Sequence, residues 1–264
     1  YVNNSEAKLL HIQWLNKFTY FDRTLLNLYY KLKKKKVVFT AHNVNDRARD
    51  NRDTLLNRAT LRIMYRLMDH IFVHTEKMKT ELCQQFGVSP DKVTVIPFGM
   101  NTHVPKRGIT REEARAALGI SQDAKALLFF GQIAPYKGLD CLLLSVNNLR
   151  RRKVIDLKDI LIIAGKVKRG NEAYWANIER IIDRHGLGNM LVKKIGFVPD
   201  EDIEKLFVGA DALVLPYRSI YQTGVLFLAY RFGTPVIATD VGSLREDIKE
   251  GITGVICEGN DSEA

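Results

Sequence analysis

The sequence predicts an α/β protein built from parallel sheets in two units. Short apolar runs alternate with amphipathic helical patterns along nearly all of the 264 residues. These runs are apolar on both faces, as strands covered by helices on either side must be. A third observation divides the chain. At 97–111, Pro97, Gly99, Pro105 and Gly108 stand among polar residues with no helical or strand period, which marks a linker. The units are therefore read as 1–104 and 105–264.

In the first unit the expected helices lie at 25–31, 54–68 and 76–86, and the strands at 37–40, 70–74 and 93–96. Arg58, Arg62 and Arg66 recur every fourth residue and share one helix face, with Leu55, Ile63 and Leu67 on another. After the linker the alternation restarts. Strands are expected at 127–130, 160–164, 191–195, 212–215 and 235–239, and helices at 111–118, 140–151, 172–185, 201–208 and 225–232. Three strands are too few for a doubly wound sheet. The chain stops at 260–264, after a strand and a polar turn, where another helix would follow. Both ends are therefore expected to be cut.

Composition sets limits on function. Apolar residues make up 46% and charged residues 27%, the balance of a globular chain. Runs such as 126–130 and 160–164 are too short to span a bilayer, and the sequence opens without a secretory signal. A cytoplasmic protein is the expectation. Cys83, Cys141 and Cys257 lack paired spacing, so reduced and mostly buried thiols are expected, with no disulfide framework or zinc site. The first hundred residues hold 17 Lys and Arg against 9 Asp and Glu, carrying +8 of the total +10. Such asymmetry suits an anionic partner for the first unit: membrane headgroups, a phosphorylated acceptor or nucleic acid.

Three stretches carry chemistry. In Phe129-Phe130-Gly131-Gln132-Ile133-Ala134-Pro135-Tyr136-Lys137-Gly138 a strand ends in a loop. There Gly131 permits close backbone approach and Lys137 offers a fixed charge suited to a diphosphate. In 213–217 followed by Gln222-Thr223-Gly224-Val225, a buried strand leads to a helix whose free N–H groups can hold an anion. Thr223 is equally a plain helix cap. In Val37–Asn43 a strand delivers His42 to its carboxyl end, able to bind a sugar hydroxyl or serve a reacting centre; a structural histidine is the bland alternative.

Taken in order, 129–140, 193–202, 206–217 and 233–242 closely resemble the retaining glycosyltransferase family 4. The resemblance runs back through 70–101 and 40–43 and covers about residues 9–258. It implies a GT-B fold of two Rossmann-like domains facing across a cleft, the first incomplete. The second would hold a nucleotide-sugar donor and the first would face a glycan or lipid-linked acceptor. Lys137 falls on the family lysine that contacts the donor diphosphate, beside Gly131 and Gln132. Thr223, Gly224 and Val225 fall on the helix start that holds the distal phosphate. Gly196, Phe197 and Val198 lie where the base meets main chain. His42 matches the histidine near the anomeric centre, with Asn43 and Gln222 in the sugar region. The resemblance implies no metal ion and no cofactor beyond the donor.

Two departures stand out. Gln132 replaces an arginine that many members carry, and Ile220 and Leu228 occupy the family's two glutamate positions. The second glutamate ordinarily binds ribose, so Asp140 and Glu246 become candidates to substitute. This polypeptide alone is expected to turn over little. The basic first unit and the lipid-linked acceptors of such enzymes imply contact with an anionic membrane surface. A nucleic-acid binder is disfavoured because no finger spacing or aromatic RNA-binding signature appears. A dehydrogenase lacks its Gly-x-Gly-x-x-Gly. A nucleotide-sugar epimerase would need cleft carboxylates, and a non-catalytic homologue acting as a binding module is the alternative.

Overall fold

Runs of β-branched and aromatic residues form ten strands in two parallel sheets, which a computed structural model describes at residues 6–14, 18–49, 52–100 and 102–258. Asn101 and 260–264 lie outside the described residues. The chain divides into Tyr1–Phe98 and Gly99–Ala264. Val104, on the first-unit side of the boundary read from the sequence, is buried in the second unit's core.

The first unit holds four strands in chain order: β1 (Leu9–Ile12), β2 (Lys36–Thr40), β3 (His70–Val73) and β4 (Val93–Val95). β1 escapes the sequence reading because it is a half-exposed strand, with Leu9 53% exposed, and lacks the two-sided apolar signal. A helical segment starts at Thr19, passes through a π-helical turn at Asp22–Leu26 and ends at Leu32. Such a turn loosens backbone pairing, and the buried Asn27 side chain compensates by donating to the carbonyls of Asp22 and Arg23. Thr54 and Thr75 cap the helices Leu55–Leu67 and Glu76–Phe86, each hydroxyl accepting an N–H three residues on.

The inward face of Leu55–Leu67 is Asn57, Thr60, Leu61, Met64 and Tyr65. The expected apolar face is thus corrected: Leu55 is 88% and Ile63 45% exposed. Tyr65 and Asn57 turn the helix instead, bonding to the Val44 carbonyl and to Asn45 and Asp53. Arg58 and Arg62 face outward, yet both find partners within the unit, Asp53 and the Gln85 carbonyl.

The second unit is a six-stranded sheet in the order β10-β9-β8-β5-β6-β7. Its strands are β5 (Ala126–Phe130), β6 (Ile160–Gly165), β7 (Leu191–Ile195), β8 (Ala212–Leu215), β9 (Val236–Thr239) and β10 (Gly254–Cys257). Alternation along β5 sends Leu128 into one apolar core and Phe129 into another, one on each face of the sheet. The topology reverses at β5, whose neighbours are β6 and β8, and such a switch point opens a crevice at the strands' carboxyl ends.

Arg115 is completely buried behind this sheet. It donates to four backbone carbonyls and to Asp211, which also accepts the Ala126 N–H at the start of β5. Glu204, equally buried, accepts the N–H groups of Arg107 and Gly108. None of the three cysteines is in a disulfide among the described residues, but Cys257 is exposed and the other two only partly buried, so the mostly buried expectation fails. Cys257 sits on the sheet-edge strand β10. No helix among the described residues is long and apolar enough to cross a membrane.

Candidate functional site

At the switch point the loops after β5, β6 and β8 are locked together by backbone contact. Gly131 (φ 112°) donates its N–H to the Ala164 carbonyl, and Gly165 (φ 145°) lies so close that a Cβ there would meet the Gly131 oxygen at 1.8 Å. Gly138 (φ 68°) lies equally close to Pro216, where a Cβ would meet the carbonyl oxygen at 1.9 Å. Side chains are excluded at both points by space and by backbone conformation.

The resulting turn directs Lys137 inward. Its Nζ donates to Tyr217 Oη at 2.8 Å and lies 4.5 Å from that ring's centroid. Lys137 is only 6% exposed and Tyr217 is fully buried. Among the described residues no carboxylate lies within ion-pair distance of this lysine. From the same turn, a Cβ on Gly131 would find Lys137 Nζ at 3.3 Å and Val225 Cγ2 at 3.6 Å. Gly131, Lys137 and Val225 thus converge.

Val225 belongs to the helix Gly224–Phe232. Thr223 caps it, accepting the Val225 N–H at 3.3 Å. Gln222 donates to Asp247 at 3.2 Å, while its Oε1 is buried without a hydrogen-bond partner among the described residues. Burial pushes the Asp247 carboxyl above its ordinary range, more than the Gln222 bond draws it down. Gln132 is exposed beside the turn.

Gly196 (φ 143°) continues the row of close backbones, donating to the Gly165 carbonyl at 3.0 Å. Phe197 next to it is 82% exposed, and Val198 packs against the first core. Both line a cavity of about 340 Å³ with Lys193, Lys205 and Leu118.

Both family glutamate positions are core. Ile220 is 9% and Leu228 6% exposed, within the cluster that holds Leu226 and Ala229. Asp140 has no free oxygen for a ribose: Tyr174 donates to one and Arg218 to the other, both at 2.7 Å. Burial raises the Asp140 carboxyl, but these two bonds, the Arg218 charge and the Cys141 N–H together hold it below its ordinary value. Its function is to brace the turn, since Arg218 also holds the Pro135 carbonyl. Neither Tyr217 as partner of Lys137 nor this brace was legible as such in the sequence.

In the first unit, His42 and Asn43 follow β2 and line a small cavity of about 50 Å³ with Gln13, Trp14, Arg23 and Asp46. His42 Nδ1 lies 3.1 Å from His74 Nε2, and its Nε2 lies 3.2 Å from Gln13 Oε1. The Trp14 ring stacks on it at 4.6 Å, tilted by 14°. Burial first, and the neighbouring His74 second, hold His42 below the ordinary imidazole value; burial does the same for His74.

The family profile described as Glycosyl transferases group 1 matches residues 110–264, and that of Glycosyltransferase Family 4 matches 9–104. The chain belongs to the group 1 glycosyl transferases. Among curated relatives, D-inositol 3-phosphate glycosyltransferase of Streptomyces scabiei is 31% identical over 200 residues, 75% of this chain and 45% of the relative. The protein of that name from Nocardia farcinica is 29% identical over 74% of this chain and 42% of its own length. The chain thus spans less than half of each. Among solved structures, Anabaena Alr3699/HepE in complex with UDP and glucose superposes with a TM-score of 0.80. Its identity is 17%, covering 97% of this chain and 65% of that one. Sucrose-phosphate synthase from Thermosynechococcus elongatus gives 0.80 at 18% identity, covering 97% and 62%. This group 1 glycosyl transferase chain therefore has the GT-B type of α/β fold.

Proposed function

We propose that the chain serves the transfer of a sugar from a nucleoside-diphosphate donor to a glycan or lipid-linked acceptor, with retention of anomeric configuration. The observation that carries the reading is Lys137, a buried cation whose only partner among the described residues is a neutral phenol. A buried charge without a counterion is costly, and a diphosphate at the strand ends supplies one. The helix start at Gly224–Val225 adds backbone N–H groups to the same spot.

The chemistry follows from charge. As the sugar–phosphate bond breaks, negative charge grows on the leaving diphosphate. Lys137 and fixed amides then stabilise the transition state more than the ground state. Attack on the leaving group's own face requires no nucleophilic carboxylate, which fits apolar residues at 220 and 228. The diphosphate takes the acceptor's proton. No metal or further cofactor is part of this reading. The unpartnered Gln222 oxygen supports a sugar hydroxyl there, because leaving such an acceptor unmade costs about 1–3 kcal/mol. Gly196–Val198 would face the base, and His42 with Asn43 the sugar. UDP and glucose bound to the Anabaena neighbour and the glycosyltransferase relatives support the donor class. An anionic membrane carrying a lipid acceptor belongs to the same reading, met by the exposed cations Lys33, Lys34 and Arg66.

Calorimetric titration with UDP, GDP and ADP tests the proposal. One of them is expected to bind, at least 10-fold more weakly to Lys137→Ala, equivalent to about 1.4 kcal/mol. Binding of none at millimolar concentration by the folded protein would overturn it in favour of a non-catalytic module.

A further inference from the structure

His42 and His74 leave adjacent parallel strands side by side. β2 and β3 pair Thr40 with Phe72, so the residues just beyond their ends stand next to one another. Hydrogen-bond polarity then assigns the protons. His74 Nδ1 faces the Ile96 carbonyl at 3.4 Å, and only a protonated nitrogen can do so favourably. In a neutral His74 its Nε2 is therefore an acceptor. The 3.1 Å contact from His42 Nδ1 must then carry its hydrogen on His42. That leaves the lone pair of a neutral His42 on Nε2.

The packing holds both rings in place. Trp14 stacked on one ring face and the T-shaped contact of His74 with Phe98 at 5.0 Å restrict the rotation of both imidazoles. Gln13 bridges His42 Nε2 and His11 Nε2, at 3.2 and 3.1 Å, and His11 is held in turn by Thr40 Oγ1 at 2.8 Å. An amide can present either its nitrogen or its oxygen. The Gln13 oxygen faces His42 Nε2, which suits N–H there; turning the amide over presents its N–H₂ group to a bare Nε2 instead. Such a network tolerates one proton arriving or leaving at that nitrogen while Nδ1 keeps its own.

We infer that His74 is a positioning residue for His42: its bond to Nδ1 fixes the tautomer and ring orientation that reserve Nε2 for the substrate. The inference rests on the proposed place of His42 near the transferred sugar. The logic is that of an imidazole held through one nitrogen so that the other can work.

Long-range ¹⁵N–¹H correlation spectra of the whole chain, with ¹⁵N-histidine, read the tautomer directly. The His42 signals are assigned by their loss in His42→Gln. Above the titration of the imidazoles, His42 is expected as a single tautomer with its hydrogen on Nδ1. His74→Gln, which keeps an acceptor near the position of Nε2, should retain that tautomer. His74→Phe, which keeps the ring packing but not the acceptor, should lose it while the fold, followed by backbone amide spectra, persists. A merely structural His74 would leave the His42 tautomer unchanged in His74→Phe. That outcome, or hydrogen on Nε2 in the neutral unsubstituted protein, overturns the inference. If His74→Phe unfolds, the unsubstituted protein and His74→Gln still decide. The nucleotide titration reports on the second unit separately, so failure of the donor reading and failure of the histidine pair are told apart.

Discussion

In the second unit the candidate site is drawn by the backbone. Gly131, Gly138, Gly165 and Gly196 let strand ends touch, and a single buried cation, Lys137, sits in the turn they shape. In the first unit it is drawn by side chains: His11, Gln13, His42 and His74 pass hydrogen bonds across the ends of three strands. The two respond to substitution differently. A backbone site fails where a methyl group is added, by steric collision at Gly138 and Gly165 and by strain of the left-handed backbone at Gly131 and Gly196. A side-chain chain fails by loss of one hydrogen-bonding atom and answers to protons.

The largest effect expected from this contrast is at Gly138→Ala. Its Cβ would overlap the Pro216 oxygen in a left-handed conformation, at a cost on the order of 3 kcal/mol. Urea denaturation followed by tryptophan fluorescence should show it, and unchanged stability would mean that the turn is not held as described.

The first unit should instead respond to acid. His42 and His74 lie below their ordinary value when folded and near 6.5 when unfolded. Between those values the unfolded chain binds more protons, so stability is full above about pH 6.5 and falls as pH drops toward the folded values. Hydrogen exchange of the β2 and β3 amides, corrected for the intrinsic rate, should show less protection at pH 5.5 than at pH 7.5. The combined His42→Gln and His74→Phe substitution should flatten that dependence.

The smallest effect belongs to Thr223→Ala. It removes one cap, worth about 1 kcal/mol, and leaves the N–H groups of Gly224 and Val225 in place. Thermal unfolding should shift modestly, with nucleotide affinity reduced less than by Lys137→Ala. A greater loss of affinity than in the lysine variant would show that the hydroxyl itself meets the ligand.

The same contrast explains what the sequence disclosed. Five of the six strands of the second unit emerged nearly to the residue, since buried runs such as Ile160–Gly165 are apolar on both faces, whereas the half-exposed β10 was given no bounds. The turn that shapes its candidate site was legible as well, because glycines and a lysine at fixed offsets within ten residues leave a local pattern. β1 stayed hidden because an exposed Leu-Leu-His-Ile strand has no period to read. His74 stayed hidden because its partnership with His42 spans 32 residues and depends on which strands become neighbours. Leu55 and Ile63 misled for a related reason: Asn57 and Tyr65 orient that helix through polar bonds that hydrophobic spacing does not register.

The buried Glu204 bears on where this protein can be divided. Both of its oxygens are occupied by main-chain N–H groups of residues 107 and 108, upstream of the point where the family profile begins. A gene trimmed to that profile would leave a carboxylate stranded in apolar surroundings and would delete Val104 from the core it fills. As a physical unit the second half therefore begins before the profile does, and a truncation that keeps it whole must carry the strap from Val104 to Gly108.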